Sequence, residues 1–215
     1  MSSNTDSALK VAEFLLNIKA IKLQPNAPFT WASGWKSPIY CDNRKTLSFP
    51  IVRTYLRQEF VRVISENFPK PDVIAGVATG GIALGALVAQ EMGIPFVYVR
   101  PSAKGHGLQN QVEGHIEEGQ NVVVIEDLIS TGSSSLKAVE ALKDAKCNVK
   151  GLVAIFNYGF EEATNNFKKG SCTFYSLTTY DSLIKQGIKS KYITENDVET
   201  LKAWRENPAE WRVNG

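Results

Sequence analysis

Two adjacent carboxylates and a run of hydroxyl side chains give this sequence its clearest chemical signal. Glu126 and Asp127 follow an unbroken β-branched stretch, residues 122–125, a pattern typical of a strand buried on both faces. A short loop containing Gly132 comes next. It is rich in hydroxyl groups: Ser130, Thr131, Ser133 and Ser134. Apolar residues then recur at helical spacing, which predicts a helix from Ser133 onward.

A strand that passes through such a turn into a helix favours phosphate binding. The first backbone N–H groups of a helix have no intrahelical partner, and the helix dipole adds positive charge there. Carboxylates alone would repel a phosphate. The acidic pair therefore favours a ligand whose diol hydroxyls lie about one sugar ring away from its phosphate, or a divalent metal between the acids and the phosphate. A ribose 5-phosphate meets both demands. Ordinary strand-to-helix turn chemistry is the alternative, but it explains an isolated acidic pair better than this whole pattern.

Length and composition narrow the class of protein. The chain has 215 residues, which fits one α/β domain, and a net charge of +2 with acids and bases interspersed, so it lacks the electrostatic footprint of a nucleic-acid-binding protein. Its three cysteines are far apart and show no CxxC spacing, which supports neither a disulfide framework nor a zinc site. The N-terminus lacks the build of a signal peptide, and no apolar run approaches the ~20 residues of a membrane-spanning helix. We therefore expect a cytoplasmic protein that binds neither nucleic acid nor membranes.

Alternating strand and helix patterns predict the fold class, a doubly wound, mainly parallel α/β sheet. The predicted strands are residues 73–77, 95–99, 122–125, 149–157 and 172–177. The predicted core helices are residues 51–67, 82–92, 133–145, 160–168, 179–186 and 194–206. Ligands of such sheets bind at the carboxyl ends of the strands, where the acidic pair falls.

A small N-terminal hood is predicted ahead of this core. It consists of a helix over residues 7–20, a connector over residues 21–28, and an aromatic hairpin over residues 29–42 with Gly34 in its turn. We expect a single domain over residues 1–215, with the hood at residues 1–45 and the core and C-terminal helices at residues 46–215.

A long polar stretch precedes the β-branched strand. Residues 101–121 have almost no apolar periodicity, and such a segment within a compact domain is usually a functional lid or a linker. Arg100, Lys104 and His106 lie at alternating or near-alternating positions, where an extended chain presents them to one side. These side chains favour a cationic lid over an anionic leaving group, with a solvated polar loop as the alternative.

The pattern of residues 122–134 resembles the phosphoribosyl diphosphate (PRPP) motif of the type I phosphoribosyltransferases: four apolar residues, two acids, two apolar residues and a hydroxyl–Thr–Gly–hydroxyl loop. With the Arg100–Gly107 segment and the Phe29–Thr30 hairpin, the chain is similar to orotate phosphoribosyltransferases over roughly residues 28–158. The resemblance implies transfer of the phosphoribosyl group from PRPP to orotate in pyrimidine (UMP) biosynthesis. It also implies Mg²⁺ as cofactor, with no residue assigned as a metal ligand, and a homodimer with shared active sites.

The resemblance also implies residue roles. Catalytic roles, in stabilising the departing pyrophosphate, go to Arg100, Lys104 and His106. The same three residues are expected to bind PRPP, together with Glu126, Asp127, Leu128, Ile129, Ser130, Thr131, Gly132, Ser133 and Ser134. Within this set the acids would hold the ribose hydroxyls and residues 130–134 the 5-phosphate. Ser130 is also expected to contact orotate.

Four positions depart from residues often found in that family. Gly80 stands where members often have lysine, and Ala32 where some have lysine. Pro101 stands where many have a second basic residue, and Tyr158 where some have arginine. Pyrophosphate would then be neutralised by fewer cations, and no role is carried over to these four positions. Two alternatives stay open: a phosphoribosyltransferase for another base, such as adenine, xanthine or uracil, and a PRPP-sensing regulator with the same fold.

Overall fold

The structure is a computed structural model that describes residues 5–31, 34–102 and 111–211. The strands within these residues are β1 (Ile21–Leu23), β2 (Phe29–Thr30), β3 (Lys36–Ser37), β4 (Ile39–Cys41), β5 (Val73–Val77), β6 (Phe96–Val99), β7 (Val112–Glu113), β8 (Asn121–Ile129), β9 (Asn148–Asn157) and β10 (Phe174–Thr179). The α-helices are α1 (Thr5–Asn17), α2 (Pro50–Asn67), α3 (Gly80–Met92), α4 (Ser133–Asp144), α5 (Glu161–Lys169), α6 (Tyr180–Lys189) and α7 (Asn196–Glu206), and a 3-10 helix spans Asn43–Ser48.

Six strands form the central sheet in the order β10-β9-β8-β5-β6-β7. Every neighbouring pair is parallel except β6 and β7, which are antiparallel. The chain builds outward from β5 to β6 on one side and from β8 to β9 and β10 on the other. The order therefore reverses between β5 and β8, which is where doubly wound sheets bind ligands. The predicted fold class is confirmed.

Both faces of the sheet are buried. Val122 and Val124 pack in one apolar cluster, whereas Val123 and Ile125 pack in a second. All four side chains are fully buried. Because successive residues of a strand point to opposite faces, the unbroken β-branched run supplies both layers of core at the centre of the sheet.

Strand β8 is longer than the sequence pattern predicts. Hydrogen-bonded pairing with β9 continues past Ile125 as far as Ile129, and Glu126 lies opposite Ala154. The acidic pair is therefore part of the strand and does not follow it. The prediction ended too early because carboxylates interrupt the apolar run that marks a buried strand.

The hood also differs from the prediction in detail. Residues 21–28 do not form a plain connector, because β1 pairs antiparallel with β4. The predicted hairpin is the short β2–β3 pair, with Gly34 between the strands at φ +86°. Tyr40 belongs to β4 and lies opposite Lys22. Strands of two or three residues leave too little periodicity to be detected in a sequence.

The stretch that was predicted to be aperiodic contributes the short edge strand β7. Residues 103–110 of that stretch, including Lys104 and His106, lie outside the described residues. Among the helices that the structure describes, none combines the length and the apolar character needed to cross a membrane.

Candidate active site

Two adjoining cavities open where the order of the sheet reverses. The first, here called the polar cavity, has a volume of about 300 Å³ and lies between the turn after β5 and the end of β8. Its described lining is Val77, Ala78, Thr79, Gly80, Glu126, Asp127, Leu128, Ser130, Thr131, Gly132, Ser133 and Ser134. The second, the aromatic cavity, has a volume of about 430 Å³ and is lined by Thr30, Trp31, Tyr40, Cys41, Leu128, Ser130 and Tyr158. Leu128 and Ser130 line both cavities and form their common wall.

The loop of the polar cavity leaves the start of α4 open to an anion. Gly132 precedes the helix with φ +80°, and no side chain caps the helix. The first intrahelical bond runs from the Leu136 N–H to the Gly132 carbonyl, at 2.9 Å. The amides of the residues between them therefore have no intrahelical acceptor. Together with the Thr131 and Ser133 hydroxyls, which lie 3.1 Å apart, they can bind a phosphate.

Glycine is required at position 132 by both the backbone conformation and the closeness of a neighbouring ring. A φ of +80° favours glycine, and a Cβ at this position would lie 2.6 Å from the Phe167 ring. Asn166, the residue before Phe167, donates from Nδ2 to the Thr131 carbonyl at 3.0 Å. Helix α5 therefore fixes the shape of the loop from outside the cavity.

The two carboxylates differ in environment. Glu126 is only 4% exposed, and it accepts hydrogen bonds from the Asp127 N–H at 2.9 Å and the Ser135 hydroxyl at 3.0 Å. Burial, followed by the negative charge of Asp127, raises the pKa of Glu126 well above its usual range. Asp127 is partly exposed, and its carboxylate covers the Gly80 Cα so closely that a Cβ there would overlap it. Asp127 is thus the more open of the two acids.

Asn43 ties the hood to the acidic pair. Its side chain is 1% exposed and donates from Nδ2 to the Asp127 carbonyl at 2.6 Å. Sequence reasoning missed both Asn43 and Ser135. Ser135 lies one residue beyond the PRPP pattern and could have been found by extending it, whereas Asn43 is distant in sequence and gives no local signal.

The walls of the aromatic cavity are fixed by ring packing. Trp31 donates from Nε1 to the Ile39 carbonyl at 3.1 Å and meets the buried Trp204 of α7 edge to face, at 5.7 Å between ring centroids. Tyr158 stacks on Phe160 at 5.3 Å with an interplanar angle of 9°. None of the described lining residues carries a charged side chain. Burial is the main cause that raises the pKa of the Cys41 thiol and of the Tyr158 phenol, so both are neutral.

The structure brings together most of the PRPP-binding residues proposed from the sequence. Glu126, Asp127, Leu128 and residues 130–134 line the polar cavity. Ile129 does not line it, because its side chain is fully buried in the core. Ser130, which was expected to contact orotate, also lines the aromatic cavity.

Arg100 lines neither cavity. Its side chain forms an ion pair with Glu113 of the edge strand, with 3.4 Å between Nη1 and Oε1, and its backbone N–H donates to the Gln111 carbonyl. The other two residues proposed as catalytic, Lys104 and His106, lie outside the described residues. Within the described ranges, no group of three or more His, Cys, Asp and Glu side chains is arranged to hold a metal.

A comparison with known protein families identifies the class of protein. A family model described as "Phosphoribosyl transferase domain" matches residues 56–181, which include β5 to β10 and the whole loop of the polar cavity. The chain therefore contains a phosphoribosyltransferase domain.

Individual relatives narrow this class. Proteins named orotate phosphoribosyltransferase from Porphyromonas gingivalis and Phocaeicola vulgatus are 55% and 56% identical to this chain, cover 94% of it in both cases, and are themselves covered over 97% and 95% of their lengths. A crystal structure of orotate phosphoribosyltransferase from Aeropyrum pernix is similar with a TM-score of 0.74 and 28% identity, over 85% of this chain and 99% of that one. The chain belongs to the orotate phosphoribosyltransferase family.

Proposed function

We propose that this chain transfers the 5-phosphoribosyl group of PRPP to orotate and releases orotidine 5′-phosphate and pyrophosphate, a step of pyrimidine nucleotide (UMP) biosynthesis. The observation that carries the proposal is the junction of the two cavities. A phosphate loop with two carboxylates meets an uncharged aromatic cavity at a wall formed by Leu128 and Ser130. A phosphoribosyl group in the first cavity and a flat base in the second would place the reacting C1 carbon at that wall.

The polar cavity would bind the sugar phosphate. The uncapped amides at the start of α4 and the hydroxyls of residues 130–134 would hold the 5-phosphate. Asp127 and Glu126 would hold the ribose 2′ and 3′ hydroxyls. As the C1–O bond breaks, positive charge develops on the ribose, as in glycoside chemistry. The Asp127 carboxylate, the more open of the two acids, would stabilise this charge.

The polar cavity offers oxygen groups that would suit Mg²⁺, the cofactor that the family resemblance implies. Mg²⁺ takes oxygen ligands and is usually held by one or two carboxylates together with substrate phosphates. The Asp127 carboxylate and the hydroxyls in the polar cavity fit this donor chemistry, and we assign no side chain as a permanent ligand. When bound, the ion neutralises charge on the departing diphosphate.

We also propose that Arg100, Lys104 and His106 assist the departure of the diphosphate. Arg100 would have to exchange its ion pair with Glu113 for the leaving group. Replacing Lys104 with alanine is expected to lower kcat by about 100-fold, the scale observed when a charge-stabilising donor is removed, with little change in the KM for orotate. A variant with unchanged kcat would remove this segment from the chemistry.

We further propose a cytoplasmic homodimer with shared active sites, built from chains that each form a single domain. Helix α1 packs against α6 and β10, with a 2.8 Å hydrogen bond from the Thr178 hydroxyl to the Ala8 carbonyl. This packing supports one domain because it joins the N-terminal helix to elements from the last quarter of the chain. An exposed apolar groove supports the dimer: Ile51 is 77% exposed beside Phe14, Pro50 and Tyr55. Light scattering coupled to size-exclusion chromatography would measure the oligomeric state.

The function is tested by following orotate spectrophotometrically after addition of PRPP and Mg²⁺. We expect orotate to be consumed and pyrophosphate to appear in equal amounts. Uracil, adenine and xanthine serve as alternative bases under the same conditions. Consumption of one of them in place of orotate, or of none, would contradict the proposal.

A further inference from the structure

Tyr158 has a fixed ring and an unpaired hydroxyl. The residue lines the aromatic cavity and is 2% exposed. Its ring contacts four other aromatic rings, those of Trp31, Phe156, Phe160 and Trp204. Side chains packed in this way have little rotational freedom, so the position of the hydroxyl is determined by the surrounding core.

The Tyr158 hydroxyl takes part in none of the hydrogen bonds formed among the described residues. It is also absent from the unpaired polar atoms that are completely enclosed by protein in those residues, so the oxygen retains some accessible surface, and the residue lines the aromatic cavity. Buried hydroxyl groups normally have a hydrogen-bond partner. Tyr180, a second buried tyrosine in contact with the same Trp204, follows this rule, because its hydroxyl donates to the Leu201 carbonyl at 3.0 Å.

The chemistry of the cavity indicates what the hydroxyl would bind. The described lining carries no charged side chain, so what it offers a ligand is neutral polar groups and aromatic faces. The hydroxyl donors in that lining belong to Thr30, Ser130, Tyr40 and Tyr158. Of these residues, Thr30 and Tyr40 are exposed and Ser130 is partly exposed, whereas Tyr158 is buried. Because burial raises the pKa of Tyr158, its phenol stays protonated at neutral pH and is available as a donor.

We propose that Tyr158 is a specificity-determining residue whose hydroxyl donates a hydrogen bond to an oxygen acceptor on the edge of the pyrimidine base. Its ring forms the wall of the cavity beside the base. This assignment rests on the proposed function, since it places orotate in the aromatic cavity. A base that presents no oxygen to this position would leave the phenol unpaired and would bind more weakly.

The test compares two tyrosine-to-phenylalanine variants of the full chain. Tyr158→Phe removes a hydroxyl without a protein partner, so its midpoint of thermal unfolding should match that of the wild type. Its KM for orotate should rise by about tenfold, the usual effect of losing one hydrogen bond to a ligand, while the KM for PRPP changes by less than about twofold. Tyr180→Phe removes a hydrogen bond within the core, so it should lower the midpoint by about 2–4 °C and leave both KM values unchanged.

Two results would overturn the assignment. The first is an active Tyr158→Phe variant with the wild-type KM for orotate. The second is a Tyr158→Phe variant that loses as much thermal stability as Tyr180→Phe, because the hydroxyl would then have a structural role. Wild-type protein that consumes no orotate is a different failure: it contradicts the proposed function itself, and the role of Tyr158 in base recognition with it.

Discussion

The polar cavity takes most of its lining from one run of chain, residues 126–134, whereas the aromatic cavity is assembled from three segments far apart in sequence. In the polar cavity a strand, a loop and a helix start succeed one another, and the local backbone geometry places the binding groups. In the aromatic cavity, residues of the hood meet the end of β8 and Tyr158, which follows β9. Their positions depend on the packing of the whole hood onto the sheet.

This difference suggests a division of labour. Groups placed by a single strand–loop–helix unit keep their geometry as long as that unit is intact, which suits a phosphosugar that must be held in one position for reaction. When a cavity is lined by residues from separate segments, one lining residue can be substituted while the others keep their positions. Such a lining is suited to determining which base is bound. Changes in the polar cavity should therefore affect the use of PRPP, and changes in the aromatic cavity the use of orotate.

Among substitutions in the described lining of the two cavities, the largest effect is expected from Asp127→Asn, which tests the polar side of this division. The amide has nearly the shape of the carboxylate but lacks its charge, so the fold should be retained. Hydrogen bonds to charged groups are worth about 1.5–3 kcal/mol, and kcat/KM for PRPP should fall by about 10- to 100-fold. Steady-state kinetics with each substrate varied would measure this. A rise in the KM for orotate alone would contradict the division between the cavities.

The same difference explains how much could be predicted from the sequence. The parallel sheet was predictable because its strands are apolar runs such as residues 73–77, which the structure reproduces as β5. The phosphate loop was predictable because its residues are contiguous. Cys41 and Asn43 gave no such signal, since they reach the site through the pairing of β1 with β4 and the 3-10 helix that follows. The pairing of Arg100 with Glu113 depends on the two-residue strand β7, which is too short to show a pattern.

A smaller effect is expected from Gly80→Ala, which lies in residues 77–80, the part of the described polar-cavity lining outside residues 126–134. A Cβ on Gly80 would overlap the Asp127 carboxylate, which would have to rotate away. We expect kcat/KM for PRPP to fall by about tenfold, the equivalent of one hydrogen bond, with little change in thermal stability. Wild-type activity in this variant would show that the observed position of Asp127 is not needed for PRPP.

Gly81→Ala is the matched control for that variant. A Cβ on Gly81 would meet the backbone carbonyl of Ile125 in β8, which cannot rotate away as a side chain can. This variant should lose thermal stability as well as activity. The two adjacent substitutions therefore separate a displaced ligand-binding group from a displaced strand.

The smallest effect is the change in stability expected from Glu126→Gln, and it depends on pH. The raised pKa of Glu126 means that the folded chain keeps a proton that the unfolded chain releases above its ordinary pKa of about 4.3. The stabilising contribution is complete below that pH and is lost as pH rises through the folded-state pKa. Glutamine has no proton to release. The thermal unfolding midpoint of the variant should therefore rise relative to that of the wild type as pH increases from about 5 to 8.

Asp42→Asn provides a control of opposite sign for this pH experiment. The Arg44 guanidinium, 2.7 Å from the carboxylate, lowers the pKa of Asp42, whose stabilising contribution is therefore present above its ordinary pKa and lost as pH falls. Because this ion pair lies largely at the surface, the effect should be small, and added salt should weaken it. Parallel pH profiles for the wild type and Glu126→Gln would mean that Glu126 is already ionised in the fold. In that case both acids of the polar cavity would face the ribose as carboxylates, and Asp127 would no longer be the only charged member of the pair.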